Sequence, residues 1–176
     1  MGTEWHIRRA LPSDLLGIIA IEQACPEAPH WSHASWLEAL AEDNSSRQVR
    51  ASFVAEGPSF ILGFAVARCA AELAELETVA VYPSARRQGT GKALIQEAMV
   101  WSREHGALSI ELEVRASSSG ARALYRLLGF AEQGVRRGYY QHPNEDAVLM
   151  AAGLQNEASL SFPGDALRRS VGGAKV

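Results

Sequence analysis

A chain of 176 residues is long enough for one domain with a sizeable core and too short for two of ordinary size. Apolar residues make up 47% and charged residues 21%, which excludes disordered, collagen-like and fibrous compositions. The formal net charge of −3 gives no electrostatic reason to expect nucleic-acid binding, although local acidic patches remain open to a basic substrate.

Cys25 and Cys69 lie far apart and form no CxxC pair, so reduced thiols are expected rather than a disulfide. The stretch MGTEWHIRRA lacks the apolar core of a signal peptide, and no apolar run reaches the roughly 20 residues of a membrane span. Together these features predict a soluble, cytoplasmic protein with no membrane partner.

Trp5 to Arg9 reads as a first strand, stopped by Leu11-Pro12. Ser13 then stands in the N-cap position of an amphipathic helix through Leu15, Ile18, Ile19 and Glu22. CPEAPHWSHAS is loop-like, and a second short helix, SWLEALAED, follows until Asn44-Ser45-Ser46. QVRASFVAE and SFILGFAVA read as two strands joined by Gly57-Pro58, and LAELETVAVY as a third, closed by Pro83. A glycine-containing loop opens a helix that runs to His105 and stops at Gly106.

LSIELEVR alternates strictly, with Leu108, Ile110, Leu112 and Val114 on one face and Ser109, Glu111, Glu113 and Arg115 on the other. The helix SGARALYRLL ends at Gly129, and FAEQGVRRGYY and DAVLMAA form the last strands across the turn QHPNE. Residues 1–152 thus read as one domain and 153–176, which show no sustained period, as a mobile tail or a helical, partner-binding segment. The expected architecture is α/β: a mixed sheet with helices on both faces, its early strands antiparallel and its middle joined by a helical crossover.

The loop from Arg86 to Lys92 fails two phosphate-binding patterns. A Walker A loop needs glycine where Arg86 stands, and the dinucleotide fingerprint needs glycine where Leu94 stands. It fits [Arg/Gln]-x-x-Gly-x-[Gly/Ala], as Arg86-Arg87-Gln88-Gly89-Thr90-Gly91, after a strand and opening a helix. The first amides of a helix lack intrahelical acceptors and carry the positive end of its dipole, so such a loop suits a pyrophosphate. A plain glycine turn with a solvated basic rim fits the same residues.

The surroundings of the loop favour the first reading. ETVAVYPSARRQGTGKALI, LEVRASSSGARALYRLLGF, and VRRGYY with EDAVLMA resemble the GNAT superfamily of acetyl-coenzyme A-dependent N-acetyltransferases. Within it they resemble the RimI group, which acetylates the N-terminal alanine of a ribosomal protein, and PHWS is similar to that group's Trp-Ser element. The likeness runs from about Trp5 to Ala151.

It implies a partly splayed GNAT sheet in which acetyl-CoA lies against Val79, Ala80 and Val81, with its pyrophosphate over Arg87, Gln88, Gly89, Thr90, Gly91 and Lys92. It implies Glu113 as general base and Tyr125 as general acid, the latter also against the cofactor, with backbone amides near Val81 for the oxyanion. Composition alone also allows Glu113 as a solvent-facing carboxylate and Tyr125 as core. Ser118 stands where the RimI pattern has a cofactor-binding asparagine. Trp31, Tyr139 and Tyr140 are implied for the acceptor, with the tyrosines alternatively a structural pair.

No metal is expected, because His30 and His33 have no Cys or acidic residue to complete a set. The expected partner is a protein N-terminus, of a small-subunit ribosomal protein, and the expected state a monomer or weak dimer. Two other functions fit the core: acetylation of a small amine, such as an aminoglycoside, polyamine or amino acid, and a non-catalytic coenzyme A-binding module.

Overall fold

Alternation of apolar and polar residues builds the sheet, and its pairing follows the connections read from the sequence. The computed structural model of the protein describes residues 4–41 and 48–154. Strands β2 (Gln48–Glu56) and β3 (Ile61–Ala70) pair antiparallel across Gly57-Pro58. β1 (His6–Arg9) adds to the outer side of β2, and β4 (Leu73–Val81) pairs antiparallel with β3. Helix α3 (Thr90–Glu104) then carries the chain to β5 (Ser109–Arg115), which lies parallel to β4.

After helix α4 (Ser119–Leu127), β6 (Ala131–Gln141) and β7 (Asn144–Gly153) form a hairpin whose second strand pairs with β5. Among the described residues this is a seven-stranded sheet in the order β1-β2-β3-β4-β5-β7-β6. Helices cover both faces. On one, α3 buries Leu94, Ile95, Ala98 and Trp101 against Phe53, Leu76 and Ile110. On the other, α1 (Leu15–Ala24) and α2 (His33–Leu40) bury Ile18, Ile21, Trp36 and Leu40 against Val54, Phe64 and Val66.

Several local expectations need correction. Asp14, not Ser13, precedes α1, because a 3-10 turn over Pro12–Asp14 comes first. The Asp14 carboxylate accepts the Leu11 amide at 2.8 Å and two Arg8 bonds at 2.7 and 2.9 Å. The guanidinium holds that carboxyl below its usual range. Helix α2 begins at His33, earlier than read, since the Ser32 hydroxyl accepts the Ser35 amide at 3.1 Å. Leu108, placed on the core face by alternation, precedes β5 and is 44% exposed. Asn44-Ser45-Ser46 and the tail beyond Leu154 lie outside the described residues.

One buried carboxylate fixes the α1–α2 connection. Glu22 is 3% exposed, accepting the Trp31 amide at 3.1 Å and the Trp36 indole N–H at 3.0 Å. The two indoles pack with centroids 4.8 Å apart, so this clamp sets where residues 25–32 cross the sheet. Removing the carboxylate strands the buried Trp36 indole donor and the half-buried Trp31 amide. Glu22→Ala is therefore expected to lower the unfolding free energy by about 2–4 kcal/mol in urea denaturation. Leu16→Ala, at a side chain 81% exposed, should stay within about 0.5 kcal/mol of the parent. Equal effects would refute the clamp.

Candidate active site

β4 and β5 pair only over Leu73↔Ser109, Ala74↔Ile110 and Glu75↔Glu111. Beyond that, each strand keeps only its outer partner: β4 stays on β3 to Val81, and β5 stays on β7 to Arg115. The gap is a cleft of about 380 Å³ that passes through the sheet. One side opens beneath the α1–α2 connection, at Cys25, Glu27 and Trp31, and the other against α4, at Ser118, Ala121 and Tyr125.

The β4 wall carries a bulge. Ala67 opposes Leu76 and Val66 opposes Thr78, which leaves Glu77 without a strand partner. Side chains change faces there: Leu76 packs with the α3 cluster and Ala80 with the α1–α2 cluster. At the strand end, the Tyr82 amide donates to Leu62 O at 2.7 Å. By alternation Ala80 also turns its backbone groups to β3, while Val79 and Val81 turn theirs toward the cleft.

Glu113, Tyr125, Val79, Ala80, Ser118, Trp31, Tyr139 and Tyr140 all line this one cleft. The Glu113 side chain, 24% exposed, is ion-paired with Arg136, and the nearby Glu113 carboxylate is the main cause of a raised Tyr139 pKa. The Arg115 guanidinium stacks over Tyr140 at 4.0 Å from the ring centroid. Tyr125 is buried beside Phe130, with centroids 5.7 Å apart. Burial, with a smaller contribution from Tyr140, pushes its phenol pKa well above the ordinary value. Ser118 precedes α4 without capping it through its side chain.

The loop Arg87–Lys92 sits past the C-terminal end of β4, outside the cleft lining. Gly89 precedes α3 with φ of +85°, and a β-carbon built there meets no atom within 4 Å. The turn needs glycine for its backbone angle rather than for space. Arg87, Gln88, Gly89 and Lys92 are exposed. Thr90 is buried instead, its hydroxyl donating to Ala85 O at 3.4 Å, so Thr90 can offer a ligand only its amide. Arg86 also turns away from the loop. It donates to Val81 O at 3.0 Å and Cys25 Sγ at 3.2 Å, and pairs with Glu27 at 2.5 Å.

This combination, two parting strands beside an amide-rich helix start, suits an extended ligand with a phosphate-bearing end. The acetyltransferase (GNAT) family model matches residues 16–130. The chain is a GNAT acetyltransferase. It is 34% identical over 141 residues to the [ribosomal protein bS18]-alanine N-acetyltransferase of Escherichia coli strain K12, covering 79% of this chain and 90% of that one. The N-alpha-acetyltransferase of Sulfurisphaera tokodaii is 37% identical over 167 residues, covering 87% and 95%. The crystal structure of the E. coli ribosomal-protein-S18-alanine N-acetyltransferase superposes with a TM-score of 0.73 at 31% identity, covering 90% and 100%.

Acetyl-CoA is the cosubstrate of this GNAT acetyltransferase. Among the described residues, no group of three or more His, Cys, Asp or Glu side chains is placed to hold a metal ion. None of the described helices is long and apolar enough to cross a membrane.

Cleft residues missed by sequence reasoning include Glu27, Glu75, Glu77 and Arg115. Glu77 is bonded by Arg50 at 2.7 and 2.9 Å, and Glu75 by Arg68 at 2.5 Å. A bulge and long-range ion pairs place them, and neither leaves a local sequence signal.

Tyr125, Tyr139 and Tyr140 all titrate above their ordinary value in the folded acetyltransferase. Around pH 10, where free phenols ionise, the folded chain therefore holds more protons than the unfolded one. Stability from these groups is present below that pH and falls as pH climbs past it. Ultraviolet titration should show a late phenol transition that Tyr125→Phe removes. An unchanged curve would contradict the burial of that hydroxyl.

Proposed function

We propose that this acetyltransferase moves the acetyl group of acetyl-CoA onto the N-terminal α-amine of a ribosomal protein whose first residue is alanine. The observation that carries this reading is the extent of the match to the bS18-alanine enzyme, 34% identical over 90% of that enzyme's length. The cleft supports it, because Trp31 beneath the α1–α2 connection and the tyrosine pair line the same opening, where a chain end could enter.

Each chemical need has a residue. An α-amine titrates near pH 8 and attacks only when neutral, so the base has a modest task. Glu113, directly or through one water, takes that proton, its carboxylate held in place by Arg136. The amine nitrogen bonds to the thioester carbon, and the carbonyl electrons move onto oxygen, facing the Val81 amide.

Collapse re-forms the carbonyl and expels the coenzyme A thiolate, which takes the Tyr125 proton, while the second proton of the attacking nitrogen leaves through water and restores the phenol. Burial keeps that phenol protonated at neutral pH. Amides of Gly89, Thr90, Gly91 and Lys92, with the Arg87 and Lys92 side chains, receive the diphosphate. Gln88 and Ser118 add hydrogen bonds at the cofactor's edge, and the Val79 backbone groups pair with its amide arm.

Mass spectrometry after incubation with acetyl-CoA and N-terminal peptides tests the acceptor. An acetylated α-amine on alanine-starting peptides is expected, and turnover of small amines alone would overturn the reading. Glu113→Gln should reduce kcat by about 10²–10⁴-fold. Calorimetric affinity for acetyl-CoA should stay within about threefold, since the lost group acts on the amine. Tyr125→Phe should slow turnover by about 10²-fold, and a parental rate there would return Tyr125 to a packing role.

A further inference from the structure

Consecutive residues of a regular strand face opposite sides of its sheet, yet Tyr139 and Tyr140 line the same cleft. The cause is a break in the β6–β7 ladder. Arg136 opposes Ala147 and Tyr140 opposes Glu145, so four residues advance on β6 for two on β7. Gly138 sits in that bulge with φ of +59°. Its amide, lacking a ladder partner there, donates to Asp146 Oδ1 at 2.8 Å. The two tyrosine rings consequently meet edge to face, with centroids 5.2 Å apart and planes at 87°.

We propose that Asp146 is a positioning residue for the acceptor: by accepting the Gly138 amide it holds the bulge that turns both tyrosines into one cleft wall. This rests on the acceptor role given above to Tyr139 and Tyr140. Asp146 touches neither substrate nor the reacting atoms and does not itself line the cleft. Its backbone contributes as well, since Asp146 O accepts the Ala116 amide at 3.0 Å and ties the hairpin to the end of β5. The side chain is thus the part that a substitution isolates.

Steady-state kinetics on Asp146→Ala, Asp146→Asn and Gly138→Ala test the idea, with crystal structures of the two Asp146 variants. Asp146→Ala should raise KM for the acceptor by about tenfold. Calorimetric affinity for acetyl-CoA should be unchanged, and the Tyr139 and Tyr140 rings should lose their edge-to-face contact in the crystal. Asparagine keeps an oxygen for the Gly138 amide, so Asp146→Asn should restore both KM and that contact. Gly138→Ala, strained at its positive φ, should reproduce the KM rise even if Asp146→Ala fails to fold.

An alanine-starting peptide and a polyamine are assayed side by side. Wild-type turnover of the polyamine alone would refute the peptide reading, and the Asp146 comparison would then be scored on the polyamine. A parental acceptor KM in Asp146→Ala, an edge-to-face Tyr139–Tyr140 contact that survives it, or no rescue by asparagine would each overturn the proposal.

Discussion

The parting of β4 from β5 is the constraint on which the rest depends. Strands hydrogen-bonded along their full length would leave no gap and no free backbone groups, and α3 and α4 would cover an ordinary closed sheet. Here pairing stops after Glu75↔Glu111, and each strand stays fixed by its other neighbour. The opening is therefore held by two intact ladders rather than by a mobile loop, which keeps its walls at a set separation. That rigidity suits a reaction whose main requirement is to hold a thioester and an amine in line.

Charge then organises the cleft. Arg50 and Arg68 hold Glu77 and Glu75, Arg136 holds Glu113, and Arg86 joins the end of β4 to Glu27 beyond α1. Pairs this exposed contribute little to stability. Their effect is geometric, most clearly where Arg50 grips both oxygens of Glu77 and so fixes the direction of that carboxylate. The Glu22 clamp does the same for the α1–α2 connection without a cation, through two N–H donors.

Local pattern carried much of this into the sequence. The alternation of Ile110, Leu112 and Val114 places Glu113 on the opposite face of β5, from which it reaches the cleft that Leu112 and Val114 line from the other. The glycine spacing after β4 reads as a helix-opening turn because the Gly89 backbone angle is a local property. What stayed hidden depends on distant partners. Asp14 displaces Ser13 because Arg8 reaches it, and Arg86 leaves the loop because Cys25, Glu27 and the Val81 carbonyl converge on it. The Glu77 and Gly138 bulges shift side chains between faces, which strict alternation cannot anticipate.

Both cysteines are free thiols beneath the surface, 1% and 2% exposed, and burial raises the pKa of each. They occupy opposite ends of the sheet. Cys25 donates to Val81 O at 3.4 Å beside the cleft, whereas Cys69 lies against His105 O at 3.6 Å near the end of α3. Neither can meet an alkylating reagent until its surroundings separate. The rate at which each thiol is modified therefore gauges opening at its own end of the molecule, and the ratio of the two rates distinguishes loosening around the cleft from melting at the far edge.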